Sequence, residues 1–533
     1  MRPRIFRAAR IASPGDPDLP AFATLGDRIV ATGDPADLRS AFADAEVIDL
    51  DGALVVPGFN DSHCHPSVTS ESRLRVDVSH RAAPDLASVR RILTDRVSAT
   101  PAGDWVFASG YHPTLSGTGG RLDRAVLDDI STEHPIAVVL FNWHCVVANS
   151  RALELSGLTD DSTAPVGGDI GRDGAGRLDG WLYEQAFLEP YWAGSGQQPW
   201  VPDLSIDALV DALVEENRYL HSTGITSYCD AIVTPRIWRT YQAARDAGRL
   251  TPRVGMLLWS TYFDTARDLG IGAGFGDDRL RMVGTKLMYD GALFSGTCLC
   301  RHPYDSSTDG ENGIQLVDRR DFAGLVAEIH AEGGRVAVHA NGDRAVSEVL
   351  DAIEAAQAAA PGAGVNHRIE HCSMVDETLL KRIHRAGVTP VPFGGAIRQH
   401  GEQLVRIYGE QRAAHIVSHR AFLDAGITVG GSSDYPTTPV EPLFAIQSMT
   451  TRALPDGRTI GPEQRVSVAE ALQMYTVGSA HACGEDGRKG RLRPGQLADF
   501  VALDTDILAG DPSSIAGGGV LSTWVGADQV WHA

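Results

Sequence analysis

The stretch VVPGFNDSHCH, residues 55–65, begins as an apolar strand and ends in two histidines separated by one residue. Side chains alternate along a strand, so His63 and His65 are predicted to face the same side and to reach one metal ion, whereas Cys64 faces away. By itself the pattern fits two polar histidines at a strand end equally well. Its place directly after an apolar run favours a metal site.

Short apolar runs of this kind recur along the chain and alternate with segments of helical periodicity, which predicts βαβ units around a parallel sheet. The candidate strands are residues 55–65, 225–231, 253–259, 283–290, 335–339, 367–371, 388–393 and 427–430. Eight strands with helices between them predict an α/β fold of the TIM type, a (β/α)8 barrel. In such a barrel the active site lies at the carboxyl ends of the strands.

The rest of the chain is predicted to form two further units. Both ends are rich in short β-like segments, so residues 1–57 and 485–533 are expected to pair in one composite β-sandwich, because chain termini often lie close together. The barrel would then take residues 58–66 and 203–484. Residues 67–202 are too many for an ordinary βα loop and contain strands of their own, which predicts an inserted α/β lid over the barrel mouth.

Composition argues against several classes of protein. The 533 residues are 43% hydrophobic and 22% charged, which is typical of a globular protein, and the formal charge of −21 argues against a nucleic-acid partner. The seven cysteines include no CxxC pair. No apolar run approaches the ~20 residues that span a bilayer. We therefore expect a cytoplasmic protein with no membrane contact, and a large barrel of this kind favours a homodimer or higher homo-oligomer.

Further candidate ligands follow other predicted strands. His339 and His371 end the strands at 335–339 and 367–371, and Asp434 follows the last strand. One such residue is more often a satisfied polar group than a ligand, but a barrel brings matching strand ends together. Neutral imidazoles and a carboxylate suit zinc and similar divalent metals, and a hydrolytic site keeps one position open for water.

Lys286 lies within the apolar strand at 283–290. Burial favours the neutral form of a lysine amine, so this position has two interpretations. One is a salt bridge, to Asp290 or Glu370. The other is a neutral amine that has taken up carbon dioxide to become a carbamate, an anion able to bridge two metal ions.

The order of these residues resembles the amidohydrolase superfamily. Longer strings resemble its branch of N-substituted formamide deformylase and related metal-dependent amidohydrolases, and they lie at residues 55–65, 168–180, 338–345, 368–371 and 489–499. The likeness extends over nearly the whole chain. Residues 288–298 are bulkier than that branch leads us to expect, so pocket shape is not carried over.

The resemblance implies a centre of two divalent metal ions, usually zinc. His63 and His65 would bind one ion, and His339 and His371 the other. Carboxylated Lys286 would bridge the two ions. Asp434 would contact the first ion and the attacking water.

This site predicts hydrolysis of a non-peptide C–N bond, that of an amide or an N-substituted formamide-like group, in a small organic substrate. Asp434 would take a proton from metal-activated water, which attacks as hydroxide, and then deliver that proton to the leaving nitrogen. Two alternatives stay open at this point. The same site could open a lactone, an ester or a cyclic amide, or the chain could be a catalytically idle binding or regulatory protein.

Several residues of the lid and loops are candidates for contact with substrate. His144, after an apolar strand, is a second catalytic candidate that could donate a hydrogen bond to the substrate or its oxyanion, or it could fasten the lid. Pockets are mostly apolar with few polar groups, although any single aromatic residue is more often part of a core. The candidate pocket residues are Tyr111, His112, Trp143, Tyr289 and Phe294.

Overall fold

The strands and helices of the protein were assigned from a computed structural model that describes residues 2–50, 52–113, 115–192, 204–307, 310, 312–363 and 365–533. The strands are β1 (Arg4–Ile11), β2 (Leu19–Leu25), β3 (Arg28–Thr32), β4 (Glu46–Asp49), β5 (Leu54–Pro57), β6 (Phe59–Cys64), β7 (Val76–Asp77), β8 (Val106–Tyr111), β9 (Ile136–Leu140), β10 (Cys145–Ala148), β11 (Gly168–Arg172), β12 (Leu178–Glu184), β13 (Ile225–Val233), β14 (Arg253–Trp259), β15 (Leu280–Met288), β16 (Val336–Ala340), β17 (Arg368–His371), β18 (Thr389–Val391), β19 (Phe500–Leu503), β20 (Val520–Val525) and β21 (Asp528–His532).

Helices follow most of the strands. They are α1 (Pro35–Ala41), α2 (Pro66–Ser72), α3 (Leu86–Ser98), α4 (Arg124–Asp128), α5 (Ser150–Leu155), α6 (Gln185–Trp192), α7 (Ile206–Ser222), α8 (Pro235–Asp246), α9 (Phe263–Asp268), α10 (Arg319–Ala331), α11 (Asp343–Ala359), α12 (Glu377–Ala386), α13 (Ala396–Ala414), α14 (His419–Asp424), α15 (Pro442–Thr451), α16 (Val468–Gln473) and α17 (Ser479–Ala482). Within the described ranges, every helix is too short or too polar to cross a bilayer.

The predicted barrel is confirmed as a parallel sheet that is nearly closed. Its seven strands have the order β18-β17-β16-β15-β14-β13-β6. The eighth position is taken by residues 427–432, where Gly430 N donates to Pro390 O at 3.1 Å and Ser62 N donates to Gly431 O at 3.0 Å. These two hydrogen bonds join the segment to both sides of the sheet, so the ring is completed without a regular eighth strand.

The eighth segment is irregular because one of its backbone amides donates a hydrogen bond to a neighbouring helix and not to the sheet. Gly431 N donates to Met474 O at 3.0 Å, in the turn of π-helix that joins α16 to α17. A Cβ atom at Gly431 would lie 2.7 Å from the Tyr475 ring, so only glycine allows this close approach. The segment therefore divides its hydrogen bonds between the sheet and the helix.

The first predicted strand is two strands in the structure. β5 belongs to the sheet formed by the chain ends and β6 belongs to the barrel, with Gly58 between them. A Cβ atom at Gly58 would lie 2.2 Å from Thr226 Oγ1, because the chain passes close to β13 as it changes sheets. The apolar run of the sequence continues through this point and does not reveal the break.

The two chain ends pair in one sheet of eight strands. Its order is β21-β20-β19-β5-β1-β2-β3, with β4 beside β1. The rings of Phe6, Phe22, Phe500 and Trp524 pack together with centroid separations of 5.0–5.5 Å, so strands from both ends share one aromatic core. The pairing of β5 with β19 is antiparallel and joins the two halves.

The insertion between β6 and β13 carries its own sheet, of order β11-β12-β10-β9-β8-β7, and a separate apolar core. The strands at its centre are buried on both faces, as in Ile136–Leu140, which explains their continuous apolar sequence. The proposed boundary between residues 202 and 203 lies outside the described residues. We call residues 67–192 the lid.

Candidate metal centre

The two histidines of β6 and its continuation face one carboxylate. His65 Nε2 lies 3.1 Å from Asp434 Oδ1, and His63 Nε2 lies 3.2 Å from the same oxygen. Asp434 N donates to His63 O at 2.8 Å, which fixes the loop after the eighth segment against the strand. The structure therefore brings the HxH pair and Asp434 together, although they are far apart in sequence.

The histidines at the ends of β16 and β17 also face each other. His339 Nδ1 lies 3.0 Å from His371 Nε2. His339 Nε2 lies 3.1 Å from the carbonyl oxygen of Gly291 and 3.0 Å from Asn341 Nδ2, so a proton on Nε2 suits the first neighbour and a lone pair suits the second. Burial lowers the pKa of both rings well below the usual value, which keeps them neutral, as metal ligation requires.

Several imidazole nitrogens of the site make no hydrogen bond within the described part of the chain. Among the described residues, the buried atoms His63 Nε2, His65 Nδ1 and His371 Nδ1 make no hydrogen bond, although Asp434 Oδ1 lies 3.2 Å from His63 Nε2. A buried polar atom without a partner costs roughly 1–3 kcal/mol, so such atoms call for a ligand. Ligand atoms of His63, His371 and Asp434 all lie within 4.8 Å of one another. This donor set of imidazoles and a carboxylate fits a divalent metal such as zinc.

Lys286 lies on β15 and lines the same cavity, with a side chain that is almost fully buried. Burial lowers its pKa to about 8, although the charges of Glu370 and Asp434 act in the opposite direction. The described carboxylates do not lie within ion-pair distance of its Nζ. Glu370 pairs with Arg368 and His63, and Asp290 accepts from backbone amides, so neither partner considered for a salt bridge is engaged with Lys286.

Several residues of this region have left-handed backbone conformations. The φ angles are 66° at His371, 53° at Asp434, 61° at Trp143 and 48° at Glu184. Side chains other than glycine rarely adopt this region, and such conformations concentrate at functional sites. Three of these residues line one cavity, which makes it the candidate functional site of the barrel.

The cavity lies at the carboxyl ends of the barrel strands. Its lining consists of His63, His65, Val68, Asn142, Trp143, His144, Leu188, Ile232, Trp259, Lys286, Met288, His339, His371, Asp434, Pro436 and Thr437. All six predicted metal ligands line it, and so do His144 and Trp143.

The other four pocket candidates lie outside this lining. Tyr111 belongs to the core of the lid, and His112 stacks on Phe141 with a centroid separation of 4.1 Å. The Tyr289 hydroxyl donates to Glu348 on α11, and its ring packs on Phe322 of α10. Tyr289 is three residues after Lys286, so strand alternation directs it to the opposite side, toward the surrounding helices.

Phe294 packs in a separate apolar cluster with Phe393 and His400, at centroid separations of 5.1 and 4.3 Å. The loop after β15 turns there in a short 3-10 helix, Leu293–Ser295, which directs the ring away from the cavity. Sequence position after a strand that carries a candidate ligand is therefore not enough to bring an aromatic ring into the pocket.

His144 is held by a residue that the sequence did not single out. Its Nδ1 donates to Glu184 Oε2 at 2.6 Å, and Thr297 Oγ1, in the barrel loop, donates to Glu184 Oε1 at 2.8 Å. Burial alone would lower the pKa of His144, but the charge of Glu184 and this hydrogen bond outweigh it and raise the pKa. His144 lines the cavity, and the hydrogen bond of Thr297 to Glu184, not His144 itself, joins the lid to the barrel loop. The role of His144 as a donor to substrate stays a prediction.

Two further buried carboxylates organise the site. Asp61 accepts from the backbone amide of Ser433, at 3.2 Å, and from its hydroxyl, at 2.5 Å, and so anchors the residue before Asp434. Glu370 accepts a hydrogen bond from His63 Nδ1. Asp61 lies in the same strand as His63, and Glu370 directly precedes His371. This closeness in sequence to candidate ligands is the only sequence signal for the two carboxylates.

Proteins of known sequence or structure are similar to this chain over nearly its whole length. The model of the amidohydrolase family matches residues 46–530. The chain is 29% identical to N-substituted formamide deformylase from Arthrobacter pascens, over 90% of this chain and 89% of that protein. It is 28% identical to the putative amidohydrolase YtcJ from Bacillus subtilis, over 91% of each.

Among solved structures, an uncharacterized metal-dependent hydrolase from Pyrococcus horikoshii has the same fold. The TM-score is 0.76 at 23% identity, and the match covers 96% of this chain and 99% of that one. Together with the family match, this likeness confirms the resemblance first seen in the HxH segment and in the later strand-end residues.

Proposed function

This chain belongs to the amidohydrolase family, and from that premise we propose that it hydrolyses a C–N bond of an amide or N-substituted formamide-like group in a small organic molecule. One observation carries the proposal, namely that ligand atoms of His63, His371 and Asp434 lie within 4.8 Å of one another in a cavity that the other three candidate ligands also line. A protein that only binds a ligand has no need for an unsatisfied set of metal donors.

The family implies a divalent metal, and we propose two zinc ions. His63 and His65 would hold one ion, His339 and His371 the other, and Lys286 would bridge them as a carbamate. Divalent ions bound there would lower the pKa of water and polarise the substrate carbonyl. With a pKa of about 8, Lys286 is partly neutral near neutral pH, and the neutral amine is the form that adds carbon dioxide, releasing one proton.

Asp434 is the proposed general base. Burial would raise its pKa, but the neighbouring histidines outweigh that effect and hold the pKa well below the usual value. The carboxylate is therefore ionised and able to accept the proton of the attacking water. It would then return that proton to the leaving nitrogen, so that the amine departs neutral.

His144 is the proposed hydrogen-bond donor to the carbonyl oxygen. Its Nδ1 is occupied by Glu184, which leaves Nε2 to face the cavity, and the raised pKa favours the doubly protonated ring. A donor aimed at the oxygen on which negative charge develops lowers the barrier more than it strengthens substrate binding.

The walls of the cavity suit a neutral substrate. Val68, Leu188, Ile232 and Trp259 form apolar sides, and in the described lining Lys286 is the sole Lys or Arg. With that lysine assigned to the metals and protonated His144 assigned to the carbonyl oxygen, no further cationic side chain there is left to bind a substrate carboxylate. An N-substituted formamide, which is uncharged, matches this environment, in line with the 29% identical deformylase.

A substrate panel tests this proposal. We expect the zinc-loaded protein to release amine from N-substituted formamides or other neutral amides, and to do so faster than it opens lactones or esters. Preference for a lactone or an ester would replace the C–N assignment while keeping the site. A protein that takes up no metal after reconstitution, and turns over none of the panel, would contradict the proposal as a whole.

A further inference from the structure

Three buried side chains, Arg368, Glu370 and His63, are joined by hydrogen bonds next to the proposed metal site. The Arg368 guanidinium donates two hydrogen bonds to Glu370, one to each oxygen and both at 2.7 Å. Glu370 Oε2 also accepts from His63 Nδ1. All three side chains are essentially inaccessible to solvent. Glu370 thus links the buried guanidinium of Arg368 to His63, a proposed metal ligand.

From this geometry we infer that Glu370 is a positioning residue that fixes the tautomer and orientation of His63. The inference rests on the proposed metal centre and extends it. A carboxylate can only accept from the Nδ1–H, so the proton is held at Nδ1 and the lone pair at Nε2 faces the cavity. Within the described chain His63 Nε2 makes no hydrogen bond, and it lies 3.2 Å from Asp434 Oδ1, so the two atoms face each other as two ligands of one metal ion would.

Arg368 makes the buried charge of Glu370 tolerable. Burial would raise the pKa of Glu370, but the positive charge of Arg368 and the contact with His63 outweigh that effect and keep the pKa low. Arg368 Nη2 also donates to the carbonyl of Ser62 at 2.7 Å, the residue before His63. The arginine therefore holds both the carboxylate and the backbone of the histidine that the carboxylate orients.

The alternative is that the Arg368–Glu370 pair only stabilises the barrel and has no effect on His63. A buried ion pair is often no more stabilising than apolar residues of the same volume, whereas removal of one partner is costly. Replacing both partners with apolar residues therefore separates the two roles. A purely structural pair would be replaced without loss, while a positioning carboxylate would not.

The experiment compares zinc affinity in three forms of the full-length protein by competition with a chromophoric chelator. We expect Glu370→Gln to lower the affinity for one of the two zinc ions by about 10–100-fold. The double variant Arg368→Met with Glu370→Leu should recover the thermal stability that the single variant loses. It should not recover the zinc affinity, because no carboxylate then orients His63.

Arg253 and Asp499 supply the matched control. They also form a buried bidentate pair, with distances of 2.7 and 3.0 Å, but Arg253 begins β14 at the end of the barrel away from the cavity. Asp499→Asn should lower the melting temperature and leave zinc affinity unchanged. Full affinity in Glu370→Gln, or its recovery in the double variant, overturns the inference. A wild-type protein without zinc affinity contradicts the proposed function instead.

Discussion

His339 Nδ1 lies 3.0 Å from His371 Nε2, and a second buried pair, His330 and His367, has almost the same spacing at 2.9 Å. The two pairs differ in their remaining nitrogens. His330 Nε2 lies 3.1 Å from Ala360 O and His367 Nδ1 accepts from Val336 N, so that pair is satisfied. In the first pair His371 Nδ1 has no partner within the described chain. Equal spacing therefore does not mean equal function.

This contrast predicts a change in metal content. His371→Asn should lower the zinc content from about two ions per chain to about one, because one ion loses half of its protein imidazoles. His367→Asn, the matched control, should reduce stability and leave the metal content unchanged. Metal analysis of the purified, dialysed proteins checks this. Equal losses in the two variants would contradict the assignment of the first pair as ligands.

Removal of the general base should separate catalysis from folding. Asp434→Asn should keep the metal ions and the melting temperature close to wild type while lowering kcat about 10²–10⁴-fold, the range typical of a lost acid–base group. Steady-state kinetics on the best formamide of the panel measures the effect. Turnover near that of the wild type would remove Asp434 from this role.

The carbamate at Lys286 predicts a spectroscopic signal. Protein prepared with ¹³C-labelled bicarbonate should give a carbamate carbon resonance, because burial leaves the amine partly neutral at pH 8. Lys286→Met, which replaces the amine with an uncharged side chain one atom shorter, should lose both this resonance and the second metal ion. A labelled resonance that persists in the variant would show that it arises elsewhere.

The contact between His144 and Glu184 predicts a shift in the pH profile. If the protonated ring is the donor, kcat/KM falls as pH rises through the pKa of His144. Glu184→Gln removes the charge that raises this pKa, so the alkaline limb should move to lower pH. Thr297→Val is the control, because it removes the other hydrogen bond to Glu184 and keeps the charge. An unshifted limb would argue against His144 as the donor.

A buried histidine far from the site predicts how stability depends on pH. Burial lowers the pKa of His221 to about 4, and its two nitrogens contact Ile225 O and Thr251 Oγ1, each at 2.8 Å. Below pH ~6.5 the unfolded chain gains a proton that the folded chain does not take up, so stability falls as pH falls toward 4. By pH 4 this histidine alone would cost about 3 kcal/mol.

His221→Gln removes that titration. The variant should be less stable than wild type at pH 8, by about 1–2 kcal/mol for the lost hydrogen bonds, and the gap should close as the pH falls below 6. Urea unfolding at several pH values measures both effects. A constant gap from pH 8 to pH 4.5 would show that His221 keeps a normal pKa in the folded protein.

The sequence was sufficient to predict site residues wherever a single geometric rule determined their position. Strand alternation and the meeting of strand ends in a barrel led to His63, His65 and His339, and to the cavity that they line. The same alternation, counted onward from Lys286, directs Tyr289 away from the cavity. That prediction could have been made correctly from spacing alone.

Other features depend on contacts that the sequence does not display. Strict alternation would direct Glu370 and His371 to opposite faces, yet both reach the site, because the φ angle of 66° at His371 changes the direction of the chain. Glu184 could not be recognised, since its partners His144 and Thr297 come together only after the lid packs on the barrel. The irregular eighth segment likewise reflects packing against a helix.

The strand that carries the HxH pair begins where the terminal sheet ends. Gly58 N donates to Asp499 O at 2.9 Å, and β5 is paired with β19. A chain emerging from the ribosome therefore presents His63 and His65 early, with β1 already available beside β5, whereas β19, the other neighbour of β5, is made only near the end of synthesis. The histidine pair is the first part of the centre to be synthesised, but the sheet that leads into it is completed among the last parts of the chain.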